Sequence, residues 1–379
     1  MITIFKKRYG TGPRLLFSPG RINLIGEHTD YNEGLVMPGA INKGIYMAFE
    51  KNDLQRVRMY SYDFDEEASA AISQIEPMSA NWANYILGVL VELKKTNPKI
   101  QGFDVVFGGD IPIGSGLSSS AALECGIGFV LNVLFDLGLK KIDIAKVGQM
   151  AEHNFVGVRC GIMDQFASIK GKKNHVIRLD CRSLSYSYFP LFFLEYQILL
   201  CNSKVKHSLA ESSYNERRSS CEIGVAALQK KYPKVNSLRD ATLTMMDAIK
   251  ASITDTIFKR CSYVIEENQR VQKATQLLKQ RNLASFGALL FESHRGLSEK
   301  YEVSCKELDF LVNQVKEDPD VLGSRMMGGG FGGCTINLIK RTAKPRLIDQ
   351  LSTKYKEQYQ IELECYEVEL VNGTHLLKP

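Results

Sequence analysis

Residues 108–121 read GGDIPIGSGLSSSA, and their context decides the fold. Just before them, FDVVF at 103–107 alternates as a strand does. Just after the glycines, from about 117 to 137, runs a long apolar segment of helical character. A strand, a glycine-rich turn and a helix present the backbone N–H groups of a helix N-terminus, where the dipole favours an anion. Gly114 and Gly116 let the backbone come close to a phosphate. Ser118, Ser119 and Ser120 add hydroxyls that can bind phosphate or ligate Mg²⁺. A helix cap alone requires one serine and no glycines. Ser115 follows Gly114 where a Walker A loop would carry Lys, so this is a different phosphate loop.

Working outward, the pattern predicts strands over 14–18, 44–50 and 56–62, a helix over 83–95 and a second over 143–158. Strands follow at 176–179 and 196–200. Residues 209–320 read as mostly helical, with amphipathic segments at 214–231 and 263–281. The chain closes as strand 335–339, helix 346–359 and strand 364–370. Strands dominate early, helices the middle, and a strand–helix–strand unit the end. That order predicts an α+β architecture in two lobes, 1–185 and 186–379.

Composition excludes several classes. Of 379 residues, 44% are hydrophobic and 24% charged, the balance of a globular chain rather than a disordered, collagen-like or coiled-coil one. The longest apolar stretch, 127–135, is broken by Asn132 and is too short to span a bilayer. The opening MITIFKKRYG has no apolar signal region, so a cytoplasmic protein with no membrane partner is expected. Nine cysteines occur without any C-x-x-C, as expected for reduced, buried thiols. The net charge of +6 is mild. The basic run Lys170-Gly-Lys172-Lys173 reads as an exposed turn, and aromatic residues do not interleave with basic ones, so nucleic acid is not an expected partner.

Three further motifs carry chemistry. GGGFGG at 328–333 contains G-x-G-x-x-G, but the strand-like CTINLI at 334–339 follows it where a dinucleotide site requires a helix. It is expected to be a flexible glycine loop packed beside the phosphate site. GRINLIGEHTDYN at 20–32 crowds Arg21, Glu27, His28 and Asp30 together, which suits a polyhydroxylated ligand. Zinc at His28 would require a second histidine at helical spacing, and there is none. CGIMDQ at 160–165 places Asp164 between apolar neighbours, where a carboxylate can accept or orient a hydroxyl proton. Upstream, Glu152 on a helix is a candidate Mg²⁺ ligand, because hard cations prefer carboxylate oxygen. Taken alone, either acid reads more readily as structural than as functional.

At these residues the chain resembles the galactokinases, members of a small-molecule kinase superfamily that includes homoserine, mevalonate and phosphomevalonate kinases. The segment 20–32 looks like the galactokinase signature, and the resemblance extends through 206–222, 292–309 and 325–334 to nearly the whole chain. It implies an N-terminal lobe like ribosomal protein S5 domain 2 and a ferredoxin-like C-terminal lobe, with the active site between them. It implies transfer of the ATP γ-phosphoryl group to the C1 hydroxyl of α-D-galactose, the first step of galactose catabolism. The implied catalytic residues are Asp164 and Arg21. The implied sugar contacts are Glu27, His28, Asp30, Gly161, Asp164 and Tyr214. The implied ATP contacts are Gly114, Ser115, Gly116, Leu117, Ser118, Ser119, Ser120, Ala121 and Trp82, with Ser120 and Glu152 on Mg²⁺. A monomer is implied, with galactose and ATP as its small-molecule partners.

The resemblance has two departures. Only 19 residues precede Gly20, so an N-terminal helix is expected to be absent. Met327 stands where Thr is usual, so a hydroxyl is lost, at about 1 kcal/mol if it touched phosphate. Two other readings fit the motifs: a kinase for N-acetylgalactosamine or L-arabinose, and a sugar and ATP sensor without catalysis. The intact serines with Asp164 and Arg21 argue against the sensor.

Overall fold

The structure is a computed structural model, and it describes residues 1–10, 12–112, 114–191, 194–206 and 210–378. Ile113 of the quoted loop and residues 207–209 of the 206–222 stretch lie outside the described residues. The first part of the chain runs α1 (Ile2–Tyr9), β1 (Arg14–Asn23), β2 (Leu35–Val36), β3 (Pro38–Lys51), β4 (Arg56–Ser61), β5 (Glu66–Ala71), α2 (Asn81–Lys94) and β6 (Phe103–Gly109). Then come α3 (Ser119–Phe135), α4 (Lys141–Ala151), α5 (Met163–Lys170), β7 (His175–Asp180) and β8 (Tyr186–Pro190). The second part runs β9 (Tyr196–Lys206), α6 (Ala210–Lys231), α7 (Leu243–Asp247), α8 (Asp255–Lys279), α9 (Leu283–Glu299), α10 (Lys306–Val315), β10 (Val321–Met326), β11 (Gly332–Lys340), α11 (Lys344–Tyr359), β12 (Glu364–Val368) and β13 (His375–Leu376).

Among the described residues, the strands form a six-stranded sheet β13-β1-β3-β6-β4-β5, a four-stranded sheet β10-β11-β9-β12 and a three-stranded sheet β2-β7-β8. The architecture is α+β with an N-terminal and a C-terminal lobe. β8 pairs with β7, and β13 pairs with β1, so both hydrogen-bond back across residue 185.

The apolar pattern explains the layers. α3 is buried nearly all round, with Ala121, Leu123, Ile127, Val130 and Leu131 inside, and it packs with α2 against Met47, Phe49 and Val105 of the large sheet. Leu199, Leu347 and Tyr355 belong to the core that β9 shares with α11. A third cluster joins Ile22, Leu24 and Leu35 to Ile198, Val271 and Ile336. The two lobes therefore share an apolar core as well as a cleft.

Several expectations shift. A helix does precede the signature: Ile2–Tyr9 is helical, against the expected absence. Phe5 is fully buried beside Ala48, Tyr60 and Val106, and Gly10 ends the helix in a left-handed conformation. One apolar anchor and a glycine stop suffice for so short a helix. The helix expected from 117 starts at Ser119, because the Leu117 carbonyl accepts the Arg21 N–H at 3.0 Å and its side chain is buried in the shared core. The helix expected over 143–158 ends at Ala151. Over Glu152–Val156 the backbone widens into a π turn, with the Gly157 N–H donating to the Glu152 carbonyl at 2.8 Å. Such a widened turn is common at functional sites.

Candidate active site

β1 ends at Asn23, and the chain then turns through residues 24–29 into a single 3-10 turn, Asp30–Asn32. This turn carries Glu27, His28 and Asp30 to the mouth between the lobes. Arg21, Glu27, His28, Asp30, Gly161, Asp164 and Tyr214 line one pocket, together with Cys160, Met163, Gly328 and Gly329. Every residue implied to touch sugar is brought together there.

At its base Arg21 grips Asp164 with two parallel bonds, Nε to Oδ1 at 2.7 Å and Nη2 to Oδ2 at 2.8 Å. Its Nη1 donates to the Gly116 carbonyl at 2.5 Å. Burial pulls the guanidinium down, but the charges of Asp164, Glu27 and Asp30 hold it above its ordinary value. Asp164 therefore faces a fixed cation. The Ser118 hydroxyl also donates to Asp164 Oδ2. Ser118 itself sits in the left-handed region at φ 60° and leaves the α3 N-terminus without a side-chain cap. The first N–H groups of α3 remain for an anion, which is the arrangement a phosphate requires.

Asp30 is raised to about 7, first by burial and then by the Asp164 charge. A Cβ on Gly161 would overlap the Asp30 carboxylate, so glycine is what lets the 160–165 segment close on the signature. Glu27 Oε1 accepts the Gly328 N–H at 2.8 Å and an Arg325 Nη2–H at 3.1 Å, and so ties the signature to the late glycine loop.

That loop packs beside the phosphate loop, as its pattern suggests. A Cβ on Gly328 (φ 85°) would sit 3.2 Å from the Gly116 carbonyl oxygen, and one on Gly333 (φ 82°) 3.2 Å from that of Ser115. The glycines serve close backbone approach between two loops, not mobility. Met327 is buried in the shared core, with its N–H on the Cys334 carbonyl at 3.0 Å.

The phosphate-loop residues divide by role. The Ser115 hydroxyl donates to the Pro112 carbonyl at 2.6 Å, and Leu117 is a core side chain. Ser119 and Ser120 line a second cleft of about 440 Å³, which runs to Trp82, Tyr85 and Phe107. Trp82 lies away from the sugar-side pocket; its Nε1 donates to Glu66 Oε2 at 2.6 Å, and its ring lies 5.2 Å from that of Phe107. Trp82 and the two serines thus line one cleft.

Glu152 is buried and its pKa is raised by that burial, against bonds from Cys160, Ser120 and Gln165 that favour its ionised form. Glu124, one turn beyond Ser120 on α3, is fully buried and raised further, by burial and then by Glu152. Glu124 Oε1 has no hydrogen-bond partner. Two desolvated carboxylates and a serine hydroxyl beside the loop are a donor set that suits a hard cation.

Sequence reasoning missed Glu124, Gln165, Tyr31, Tyr301 and Arg325. Tyr31 stood inside the quoted signature and Tyr301 inside 292–309, but a single sequence shows no link between residues 270 apart. Glu124 follows Ser120 at i+4, a spacing that puts both on one helix face and could have flagged it.

The comparisons fit this geometry. Residues 3–51 match the galactokinase galactose-binding signature, 84–172 the GHMP kinases N terminal domain and 274–357 the GHMP kinases C terminal domain. The chain is 42% identical over 375 residues to the galactokinase of Clostridium acetobutylicum, covering 98% of this chain and 95% of that one. It is 40% identical to the galactokinase of Fusobacterium nucleatum, covering 100% and 99%. The crystal structure of Lactococcus lactis galactokinase complexed with galactose superposes with a TM-score of 0.96 at 34% identity, covering 99% and 98%. Methanococcus jannaschii mevalonate kinase, at 18% identity and a TM-score of 0.68, shares the fold.

Proposed function

The chain belongs to the galactokinases, within the GHMP kinases, and from that premise we propose how its residues divide the transfer of the ATP γ-phosphoryl group to the C1 hydroxyl of α-D-galactose. Phosphoryl transfer asks a protein mainly for positioning and charge neutralisation. Glu27, His28, Asp30, Gly161, Asp164 and Tyr214 hold the hexose. Residues 114–121 receive the phosphates at the α3 N-terminus, and the Trp82 cleft receives the adenine.

The observation that carries this reading is the Arg21–Asp164 pair. It sits in the sugar-side pocket while bonded to Gly116 and Ser118 of the phosphate loop. Asp164 Oδ1 accepts one bond from Arg21 and keeps a second lone pair for the sugar hydroxyl. Asp164 orients that hydroxyl and holds its proton as the C1 oxygen approaches phosphorus. Arg21 keeps the carboxylate charged and neutralises charge on the transferring group.

Ser120 and Glu152 would hold Mg²⁺, with the one unpartnered oxygen of Glu124, Oε1, beside them as the structural sign that a cation fits. When bound, Mg²⁺ supplies charge neutralisation at the phosphate oxygens. All of these residues come from one chain, which supports a working monomer of two lobes meeting near residue 185. Nine free cysteines support a reducing, cytoplasmic setting, and among the described residues no helix is long and apolar enough to cross a membrane.

The test is ATP-dependent phosphorylation of galactose beside N-acetylgalactosamine, glucose and arabinose, with the phosphorylated position read by NMR. Galactose 1-phosphate as the principal product is expected. Asp164→Ala should lose at least ~10²-fold in turnover. Near-wild-type turnover rejects the assignment of Asp164, and preferential phosphorylation of N-acetylgalactosamine or arabinose rejects the assignment of the sugar.

A further inference from the structure

Both ring nitrogens of His28 are occupied by the protein. Nε2 lies 3.1 Å from the Gly329 carbonyl oxygen, which can only accept, so Nε2 carries a hydrogen. Nδ1 lies 2.6 Å from the Tyr31 hydroxyl, the Tyr31 oxygen lies 2.8 Å from the Tyr301 hydroxyl, and the Tyr301 oxygen lies 3.3 Å from Cys221 Sγ. His28 and Tyr301 are buried, and the two rings stand 4.9 Å apart. The His28 backbone is itself left-handed at φ 61°, with its carbonyl held by Asn32 Nδ2 at 3.1 Å. A non-glycine residue in that conformation is kept there by its surroundings, and such residues cluster at functional sites.

We propose that Tyr31 and Tyr301 are positioning residues for phosphoryl transfer: their hydroxyls form a one-way chain of donors that locks the His28 imidazole with its hydrogen on Nε2, and through that hydrogen clamps Gly329, and with it the glycine loop, against the phosphate loop.

The direction of the chain follows by elimination. With Nε2–H spent on Gly329, a neutral ring offers only a lone pair at Nδ1. Tyr31 then donates to it, Tyr301 gives its one hydrogen to Tyr31 at 2.8 Å rather than to the Arg217 carbonyl at 3.5 Å, and Cys221 donates to Tyr301. Burial lowers the His28 pKa to about 3, which keeps the ring neutral, and the charges of Arg217 and Arg325 act in the same sense. Burial also raises both tyrosines well above their ordinary range, so they remain donors. Hydrogen bonds arranged head to tail polarise one another, so the far hydroxyl strengthens the near one. The clamp matters because the backbone next to Gly329 lies on Gly116, whose carbonyl also receives Arg21. A small displacement there moves the loop that holds the nucleotide.

This inference rests on the assignment of 114–121 to phosphate, and the experiment separates the two. Nitrogen-15 spectra of the histidines in ligand-free protein, with His28→Asn identifying the resonances, report the tautomer without any turnover. Wild type is expected as a single form with hydrogen on Nε2. Tyr31→Phe is expected to move the Nδ1 resonance away from its hydrogen-bonded position, and Tyr301→Phe to move it less and in the same sense. Turnover is expected to fall about tenfold in Tyr31→Phe, because a misplaced loop costs rate. Should Tyr301→Phe fail to fold, Tyr31→Phe carries both readouts. Unchanged His28 resonances in Tyr31→Phe, or unchanged turnover, overturn the relay. An inactive wild type overturns the phosphate-loop assignment instead, and the relay's clamp on that loop falls with it.

Discussion

At the scale of single residues, Asp30 separates sugar binding from stability. Its carboxyl is pushed up to about 7 by burial and by Asp164, whereas in the unfolded chain it titrates near ~4. Between those values the folded protein holds a proton that the unfolded chain has released. Stability contributed by this group is therefore present at low pH and lost as the pH rises through about 7. Asp30→Asn cannot ionise, so its melting temperature should exceed that of wild type at pH 8 and match it near pH 4. Equal gaps at both pH values, by calorimetry, would contradict the burial argument. Asp30→Ala removes a carboxyl that lines the pocket and should chiefly raise the galactose KM, while an unchanged KM would take Asp30 out of the sugar site. Gly161 belongs to the same contact, since its missing Cβ is what admits the Asp30 carboxylate.

At the scale of elements, two backbone loops more than 200 residues apart in sequence lie against each other, and the glycines of the late loop face backbone carbonyls of the other there. Gly333→Ala would place a Cβ 3.2 Å from the Ser115 carbonyl and force alanine into a left-handed conformation at about 1–2 kcal/mol. Gly333 does not line the sugar-side pocket. The expected result is a raised KM for ATP with galactose affinity retained, read by steady-state kinetics and sugar titration. A rise confined to the galactose KM would show that the loop serves the other ligand. The same scale explains why the α3 N-terminus is left open: its first turn has no side-chain cap, because the Ser118 hydroxyl is turned to Asp164 instead.

At the scale of the whole molecule, Arg325 is the strut between the lobes. It is fully buried on β10, and its guanidinium donates to the Asn23 carbonyl, to the Leu24 carbonyl at 2.7 Å and to Glu27 at 3.1 Å. Arg325→Leu leaves a buried carboxylate and two carbonyls without that partner, at a cost of about 3–5 kcal/mol. The urea midpoint should fall accordingly, and activity should fall with it because Glu27 also holds Gly328. An unfolding free energy within about 0.5 kcal/mol of wild type would mean that the lobes are joined by the shared apolar core alone.

The sequence by itself determined most of the elements and the strand–turn–helix order around the glycine- and serine-rich loop. Anion binding at a helix start requires glycines, hydroxyls and a strand–turn–helix order within a dozen residues, and local requirements leave local marks. The same holds for the strand after GGGFGG that ruled out a dinucleotide site, and for the polar crowding at 20–32. It misjudged the first helix, which hangs on Phe5 and a glycine stop, while the late glycines pack beside the phosphate loop as their pattern suggested. Only the tertiary structure decided which polar groups meet. Arg21 finds Asp164 across 143 positions, and Tyr31 finds Tyr301 across 270. Such pairs are fixed by how a six-stranded and a four-stranded sheet seat against one core, and a hydrogen bond between distant residues imposes no period on the chain for a reader to find.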